Sequence, residues 1–549
     1  MKLFKETIFF IKLVGVKKFF LLLFLTILGS LFDLIGIGAF IPLLMDGQMP
    51  LVDGFIQKNQ FLENIVSNKR YLSLSIIIFF IFRGAISFLL TRSIFSVSIS
   101  LLNEISVLLI KLIYKCKYKV TQEFKNMEIV NDALNVTRIY IDDFFKQILK
   151  ILSDFVPLVL IFIIINSIID AYTIAIFVII VSVSIFLIRL IIFRKFQQYG
   201  HEILKNYEKI LNKLDISIRN LRELKFYKLD NYFKFKLDEH FSDVKKLEVE
   251  YNSRNQLPKY LIEILIISIF IYLFLQNYYV QPDPFFIEKI VVIGVAAIRI
   301  MPVISNLIIA FGKIKYASVS STKIYELIKF LNTHQENNDK INIVSFKDNK
   351  IAIEAKKISF SYSKNLILDK VSFKIFKNEI NLIYGKSGSG KTTLANIISN
   401  LYKPSKGKIL YQKEYDFSIL PQKPVLFDDS ILFNVILDKS FSLKKTNEVI
   451  KKSSLDNFLK NKKLLLEIVG TGSRNISEGE LQRLAIARNL YMHSDIIIFD
   501  EPTSSLDVEN KKIIINLLKK IKNEKIIIVI SHDNDLIKIA KNKIFLKTN

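Results

Sequence analysis

A six-span α-helical transmembrane domain over residues 1–330, followed by an α/β domain with a glycine-rich loop over 331–549, is the expected architecture, and three observations carry it. Apolar runs long enough to cross a bilayer crowd into the part before about residue 320. A polar stretch, "NTHQENNDKINIVSFKDNK", then breaks the pattern and reads as a linker. After it, short β-branched runs alternate with glycine turns and amphipathic segments, and one of those turns fits G-x-x-x-x-G-K-[ST].

The membrane half comes first. The chain has 549 residues, room for more than one domain, and is 51% hydrophobic with 45 Phe and no Trp. Runs such as "FFLLLFLTILGSLFDLIGIGAFIPLL" and "AIFVIIVSVSIFLIRLIIF" meet the ~20 apolar residues that one membrane helix needs. A buried soluble helix can be equally apolar, but six such segments in one half of a chain point to a bilayer. The spans fall near residues 18–45, 72–95, 141–168, 171–194, 258–280 and 285–312.

The connections alternate in kind. "NSIIDAYT" and "QNYYVQPDP" are short and hold no Lys or Arg, whereas 96–140 and 195–257 are long, helix-like and lysine-rich. Basic residues favour the cytoplasmic side, so both termini and both long connections are expected inside. The 46–71 connection faces outward and carries a short helix at "FIQKNQFLENIV". The net charge of +26 therefore reads as membrane orientation, and no nucleic-acid partner is expected. The single cysteine, Cys116, excludes an intrachain disulfide framework and a zinc-finger array. "MKLFKETIFFIKLVGVKKFF" reads as a basic, amphipathic lead-in to the first span without a cleavable signal.

The second half carries the chemistry. "LIYGKSGSGKTTLANII" is a strand, a glycine loop and a helix start. Gly385, Lys386, Ser387, Gly388, Ser389, Gly390, Lys391, Thr392 and Thr393 form the loop and the first helical turn. Their backbone N–H groups close around phosphates, Lys391 reaches the β- and γ-phosphates, and Thr392 ligates Mg²⁺. The helix N-terminus adds partial positive charge. Alone, this loop says only "nucleotide". Downstream, "DIIIFDEPTSSLD" supplies a buried parallel strand, Ile496 to Phe499, that ends in Asp500, a second Mg²⁺ ligand. Glu501 follows where a general base for the attacking water is needed.

Two further strand ends complete the γ-phosphate surroundings. Gln422 in "ILPQKPVLFDDS" reaches Mg²⁺ and the lytic water, and His532 in "IIIVISHD" contacts phosphate at the edge where a doubly wound sheet binds its ligand. Tyr362 in "ISFSYSKN" is placed to stack on adenine.

This order of aromatic, glycine loop, Gln, S-x-G-x, D-E and His resembles the ATP-binding cassette (ABC) family. Six spans before one cassette resemble an ABC exporter half-transporter. The resemblance implies ATP and Mg²⁺ as ligands and a homodimer, in which Ser477, Gly479 and Glu480 of one copy meet ATP held by the other. Ser504 to Asp507 resemble the D-loop. The signature "ISEGE" departs from L-S-G-G-Q at Ile476, Glu478 and Glu480. Ser477 with Glu480 three residues on is also a capping box, and acidic residues suit the first turn of a helix. The Ser477 hydroxyl and Gly479 N–H remain, so the site is expected to be active.

In the membrane half, "FRGAISF", "LPKYLIE" and "IRIMPVISNLI" resemble stretches of lipid-linked oligosaccharide flippases of the PglK type, and "RELKFYKLDNYF" and "YKVTQEFKN" their cytoplasmic coupling segments. That resemblance implies that Arg83, Lys259 and Arg299 attract the pyrophosphate of a polyprenyl-linked glycan. Charges in or beside spans mark function or pairing, so Lys259 with Glu263, and Asp33 with another cation, are the competing ion-pair reading. The expected protein is a multi-pass ATPase of the bacterial inner membrane, its cassette cytoplasmic, moving a lipid-linked glycan among membrane lipids. The rivals are an exporter of lipids such as lipid A or of hydrophobic drugs or peptides, a soluble ABC ATPase acting on ribosomes or DNA, and a membrane regulator that uses ATP as a switch. The spans argue against the second and Glu501 against the third.

Overall fold

The computed structural model describes residues 15–28 (save 22 and 26), 69–152, 154, 155, 159, 195–279, 286–336, 341–362, 365–437, 439–455, 465–469, 476–504, 506 and 508–547. The chain divides into two compact units, 1–116 with 120–335 and 117–119 with 336–549. The expected spans at 171–194, most of 18–45, the end of 141–168, the 46–71 helix and Asp33 lie outside the described residues, as do Ser505 and Asp507.

The first unit is helical. Helix α1 (Lys69–Tyr114) has 46 residues. At 1.5 Å per residue it is roughly 70 Å long, more than twice a bilayer core of ~30 Å. Its two halves differ accordingly. Leu74, Ile77, Ile78, Ile81, Phe82, Phe88 and Leu89 are exposed. Leu101, Ile105, Leu109 and Leu112, spaced along one face, are buried. They pack on Val136, Tyr140, Phe144 and Phe145 of α2, which runs over 126–152, and on Ala317, Ile324, Ile328 and Leu331 of a later helix. Helix α3 (Phe196–Arg219), the short α4 (Leu221–Phe226), α5 (Asp230–Tyr279) and α6 (Phe286–Thr333) follow.

Among the described residues two stretches, Ser73–Tyr114 and Asp230–Tyr279, are long and apolar enough to cross a membrane. Only 6% and 11% of their most apolar windows are buried, unlike the core helix of a soluble protein. Helices α5 and α6 run antiparallel: Tyr251 stacks on Tyr316 with ring centroids 4.2 Å apart, and a Cβ at Gly312 would strike Asn255. Gly312 is thus required by the close approach of the two helices rather than by its φ.

Helix α2 contains two π-helical segments, Asp132–Val136 and Tyr140–Phe145. The first buries Asp132, whose carboxylate accepts from Lys323 Nζ at 2.6 Å, and Lys323 also reaches Glu208 at 2.6 Å. One ammonium so ties α2, α3 and α6.

The second unit is layered. An antiparallel sheet of β1 (Ile351–Tyr362), β2 (Asn365–Phe376) and β4 (Lys406–Tyr411) has the order β2-β1-β4. A parallel sheet has the order β10-β3-β9-β8-β5, from β3 (Ile380–Gly385), β5 (Phe417–Leu420), β8 (Ile496–Asp500), β9 (Ile526–Ile530) and β10 (Asn542–Leu546). A small two-stranded antiparallel sheet pairs β6 (Asp429–Ser430) with β7 (Ile468–Val469). Strands β8 and β9 are buried at every residue, which is why their sequences are unbroken apolar runs and not alternating ones. One face of the parallel sheet (Ile383, Ile496, Ile498, Ile528, Ile530) packs on the antiparallel sheet and α7 (Lys391–Ile398). The other face (Leu382, Ile497, Phe499, Ile527, Val529) packs on α11 (Val508–Ile521) and α12 (Asn534–Ile539). Helices α8 (Ile431–Ile436), α9 (Leu443–Lys452) and α10 (Glu478–Tyr491) bury a separate cluster around Val435, Ile450 and Leu484.

A single polar side chain pins the amino ends of these strands. Asn381 is fully buried; its Nδ2 donates to Ile527 O (3.0 Å) and Phe376 O (2.9 Å), and its Oδ1 accepts from Phe376 N (2.8 Å) and Asn542 Nδ2 (2.9 Å). Asn381→Leu strands those partners, each unsatisfied group costing about 1–3 kcal/mol. Thermal unfolding of the full chain should show a clear loss of stability, and an unchanged midpoint would contradict this account.

Asp132 gives a pH prediction. It lies before the expected span, and burial pushes its carboxyl up to about 6 against the pull of Lys323. A raised folded-state pKa means that the fold binds this proton more tightly than the unfolded chain does. The resulting stabilisation is complete below the ordinary value of ~4 and is lost as pH rises to about 6. Asp132→Asn should therefore flatten the dependence of the unfolding temperature on pH across that window; equal slopes in both proteins would refute it.

Candidate nucleotide site

The site is built where parallel strands end together. Pairing sets Ile383 of β3 beside Ile530 of β9, Ile530 beside Asp500 of β8, and Phe499 beside Leu420 of β5. Residues just beyond these positions therefore emerge along one edge, the edge at which open parallel sheets bind ligands.

From β3 the chain enters the glycine loop. Gly388 (φ +80°) and Gly390 (φ +87°) take left-handed backbone, and Gly390 caps α7. Gly385 has a different reason: a Cβ there would come within 2.5 Å of Leu546 O and 2.8 Å of Ser389 Oγ. Lys386, Ser387 and Gly388 are exposed at the loop tip, and Ser389 is buried beneath it. Lys391 Nζ donates to Gly385 O and Lys386 O, both at 3.0 Å, which curls the ammonium back over the loop. The hydroxyls of Thr393 and Tyr362 lie 3.4 Å apart, so β1 delivers the aromatic to the start of α7. The Tyr362 ring meets Phe360 and Tyr402 edge-on.

Thr392 Oγ1 donates to Asp500 Oδ2 at 3.1 Å. These two side chains, 108 residues apart in sequence, thus form an adjacent pair of hard oxygen donors. That chemistry fits Mg²⁺, which takes one or two protein oxygens and completes its shell with phosphate and water. Burial pushes the Asp500 carboxyl above its usual range; the Thr392 hydrogen bond opposes this, the Glu501 charge reinforces it and Lys391 opposes it. No group of three or more His, Cys, Asp and Glu able to hold a metal occurs among the described residues.

Glu501 turns sharply out of β8 with φ +49°, left-handed backbone that a residue with a side chain adopts at a cost of about 1–3 kcal/mol. Its surroundings hold it there. Glu501 N donates to Ile530 O (2.8 Å), Oε2 accepts from Ser531 Oγ (3.3 Å), and Oε1 lies 2.9 Å from His532 Nδ1. A carboxylate fixed in this way can take a proton from water and share it with an imidazole. His532 is itself exposed, so its far nitrogen is open to a ligand. Gln422 stands two residues past the last residue of β5, a small correction to the expectation that it ends the strand, and it is exposed. Its segment is tethered by Arg488, which donates to Val425 O (3.1 Å) and Asn434 O (2.8 Å).

The S-x-G-x segment opens α10. Ser477 and Glu480 form a complete capping box, and Gly479 lies against Arg483 and Asn510. Sequence reasoning overlooked Ser531 and Gln482. Ser531 is a small residue beside a conspicuous histidine and gave no signal. Gln482, a buried amide near the start of α10, could have been noticed; its Nε2 donates to Pro502 O and so ties α10 to the turn after Glu501.

In the helical unit, Arg83 on α1 is half-buried with its guanidinium 5.4 Å from the Phe80 ring centroid. Lys259 on α5 follows Pro258 and is exposed. It makes no ion pair with Glu263 among the described residues, against the expected pairing; both are exposed on a lone helix face, where such a pair gains little. Arg299 lies on α6, and its side chain is outside the description. The register set by Tyr251 with Tyr316 places Lys259 level with Ile308, nine residues from Arg299, or roughly 14 Å along the helix. The two cations are therefore on adjoining helices at different heights.

Comparison with known proteins follows the same division. A family model described as "ABC transporter" matches residues 368–504. The zinc import ATP-binding protein ZnuC of Wigglesworthia glossinidia brevipalpis is 38% identical over 185 residues, 33% of this chain and 76% of that protein. The lactococcin-G-processing and transport ATP-binding protein LagD of Lactococcus lactis subsp. lactis is 29% identical over 334 residues, 58% of this chain and 47% of that one. An ATP-dependent lipid A-core flippase of Paraburkholderia xenovorans is 33% identical over 198 residues, 33% of each chain. The chain thus spans less than half the length of the last two relatives. A solved bacterial Atm1-family ABC exporter with ATP bound shares the fold over 97% of this chain and 93% of its own, with a TM-score of 0.77 at 16% identity. With an exporter-type fold, a matched cassette and a relative covered over three quarters of its length, the chain belongs to the ABC transporter family.

Proposed function

We propose that this chain is an ATP-hydrolysing half-transporter that works as a homodimer in a bacterial inner membrane, with six spans and a cytoplasmic cassette. Its proposed cargo is a polyprenyl-pyrophosphate-linked oligosaccharide or a similar glycolipid. The observation that carries the ATPase reading is the meeting of Thr392, Asp500, Glu501 and His532 at one sheet edge, beside the glycine loop. In this reading Tyr362 stacks on adenine, and Gly385 to Thr393 wrap the phosphates with Lys391 as their cation. Thr392, Asp500 and Gln422 would hold Mg²⁺, which when bound neutralises charge on the β- and γ-phosphate oxygens. Glu501 accepts the proton of the attacking water, and His532 orients Glu501 and faces the γ-phosphate. The signature segment of a second copy, Ser477 with Gly479 and Glu480, closes the site.

The cargo reading rests on the flippase-like stretches around Arg83, Lys259 and Arg299, and the relative named as a lipid A-core flippase supports a lipid. One observation favours a peptide instead. The match to LagD spans 334 residues, more than the second unit holds, so the likeness reaches beyond the cassette.

Two measurements test these roles. Glu501→Gln should keep ATP binding and lower turnover about 10²–10⁴-fold, the usual loss on removing a general base. Near-normal phosphate release from that variant would remove Glu501 from the role. For the cargo, the full-length protein in proteoliposomes is given a fluorescent lipid-linked glycan. Lys259→Gln combined with Arg299→Gln should depress translocation while phosphate release continues, and Lys259→Arg should be tolerated. Undiminished flipping in the double variant would leave these cations structural and move the lipid or peptide exporter ahead.

A further inference from the structure

The first turn of α10 is internally satisfied in a way that bears on nucleotide capture. Ser477 Oγ accepts from Glu480 N at 3.3 Å and donates to Glu480 Oε2 at 2.9 Å. The same carboxylate oxygen accepts from Ser477 N at 3.1 Å. A serine hydroxyl has one proton to give, and here it is given to a carboxylate. Glu480 thus holds the two donors that the N-cap residue could offer an incoming anion.

Among the described residues neither Glu478 nor Glu480 takes part in an ion pair, and Glu478 is exposed. Arg483, three residues on, is committed elsewhere: its Nη1 donates to Asn510 Oδ1. The segment therefore presents two carboxylates without an ion pair among the described residues, and a serine whose proton is already in use.

We propose that Glu480 is an internal competitor of the nucleotide's terminal phosphate for Ser477, and so sets the ATP concentration at which the two copies close on each other. This rests on the reading above, in which a second copy's Ser477 meets the γ-phosphate. A γ-phosphate oxygen is an acceptor and must take the Ser477 proton from Glu480; until the carboxylate swings away, the two anions repel at hydrogen-bond range. Once it has swung away, the serine and the Gly479 N–H are free to bind, so the competition affects capture and leaves the chemical step alone. ADP has no γ-phosphate to compete with. Both copies carry the same segment, so a homodimer has two equally restrained sites and no dead one.

The test uses the full-length protein in lipid nanodiscs, with ATP hydrolysis followed against ATP concentration and ADP affinity measured separately. Glu480→Gln keeps a residue that can complete a capping box but removes the charge. It should lower KM for ATP roughly two- to tenfold, the range for one exchanged hydrogen bond, with ADP affinity unchanged. A merely structural role for Glu480 would leave KM alone or raise it. Ser477→Ala separates the two levels of the argument. If it raises KM while Glu480→Gln leaves KM unchanged or raised, the competition is refuted and the dimeric site stands. If Ser477→Ala also leaves KM unchanged, the role of the signature serine falls, and the proposal with it.

Discussion

Parallel strand pairing constrains this cassette more than any other feature. Four strands running the same way must end on one side, and the pairing of Ile383, Ile530, Asp500 and Phe499 with their neighbours fixes how far each end projects. The functional groups are supplied by whatever comes next in each strand's sequence. Hence residues separated by more than a hundred positions, such as Thr392 and Asp500, come within hydrogen-bond reach without any loop having to search for its partner. The cost is a strand set buried on both faces, and the chain meets it with isoleucine at seven of the ten positions of β8 and β9.

Electrostatics at that edge follow from burial as much as from pairing. Asp500 and Glu501 are adjacent carboxylates, both largely removed from water. Each is stabilised by a different neighbour: Thr392 hydrogen-bonds the first, while Ser531 and His532 hold the second. The strained backbone at Glu501 points the two side chains at different partners. In α10, by contrast, the acids of the first turn, exposed Glu478 and half-buried Glu480, form no ion pair among the described residues.

Much of this was legible in the sequence because it depends on local pattern. The glycine spacing from Gly385 to Gly390 encodes left-handed backbone, and the run Ile496 to Phe499 encodes a doubly buried strand. The capping box could be read from Ser477 and Glu480 alone. What escaped depends on distance along the chain. Lys323 with Asp132 and Glu208 joins residues 191 and 115 positions apart, and no periodicity signals which lysine meets which acid. The π-helical segments of α2 were also hidden, since an extra residue in a helical turn leaves the apolar pattern nearly intact. The length of α1 was missed for a third reason: lipid and protein core both select apolar residues, so hydropathy does not mark where one gives way to the other.

Asn381 has a consequence for how motion is distributed. It sits at the amino ends of the strands, opposite the edge where the nucleotide groups gather, and bonds the close of β2, the flank of β9 and the start of β10. A carboxamide has a fixed valence and no charge to gain or lose, so these bonds are indifferent to ligand, metal and pH. The sheet is thereby clamped at one margin like a reed, and the groups that gather at the other margin project from strands whose register is already fixed.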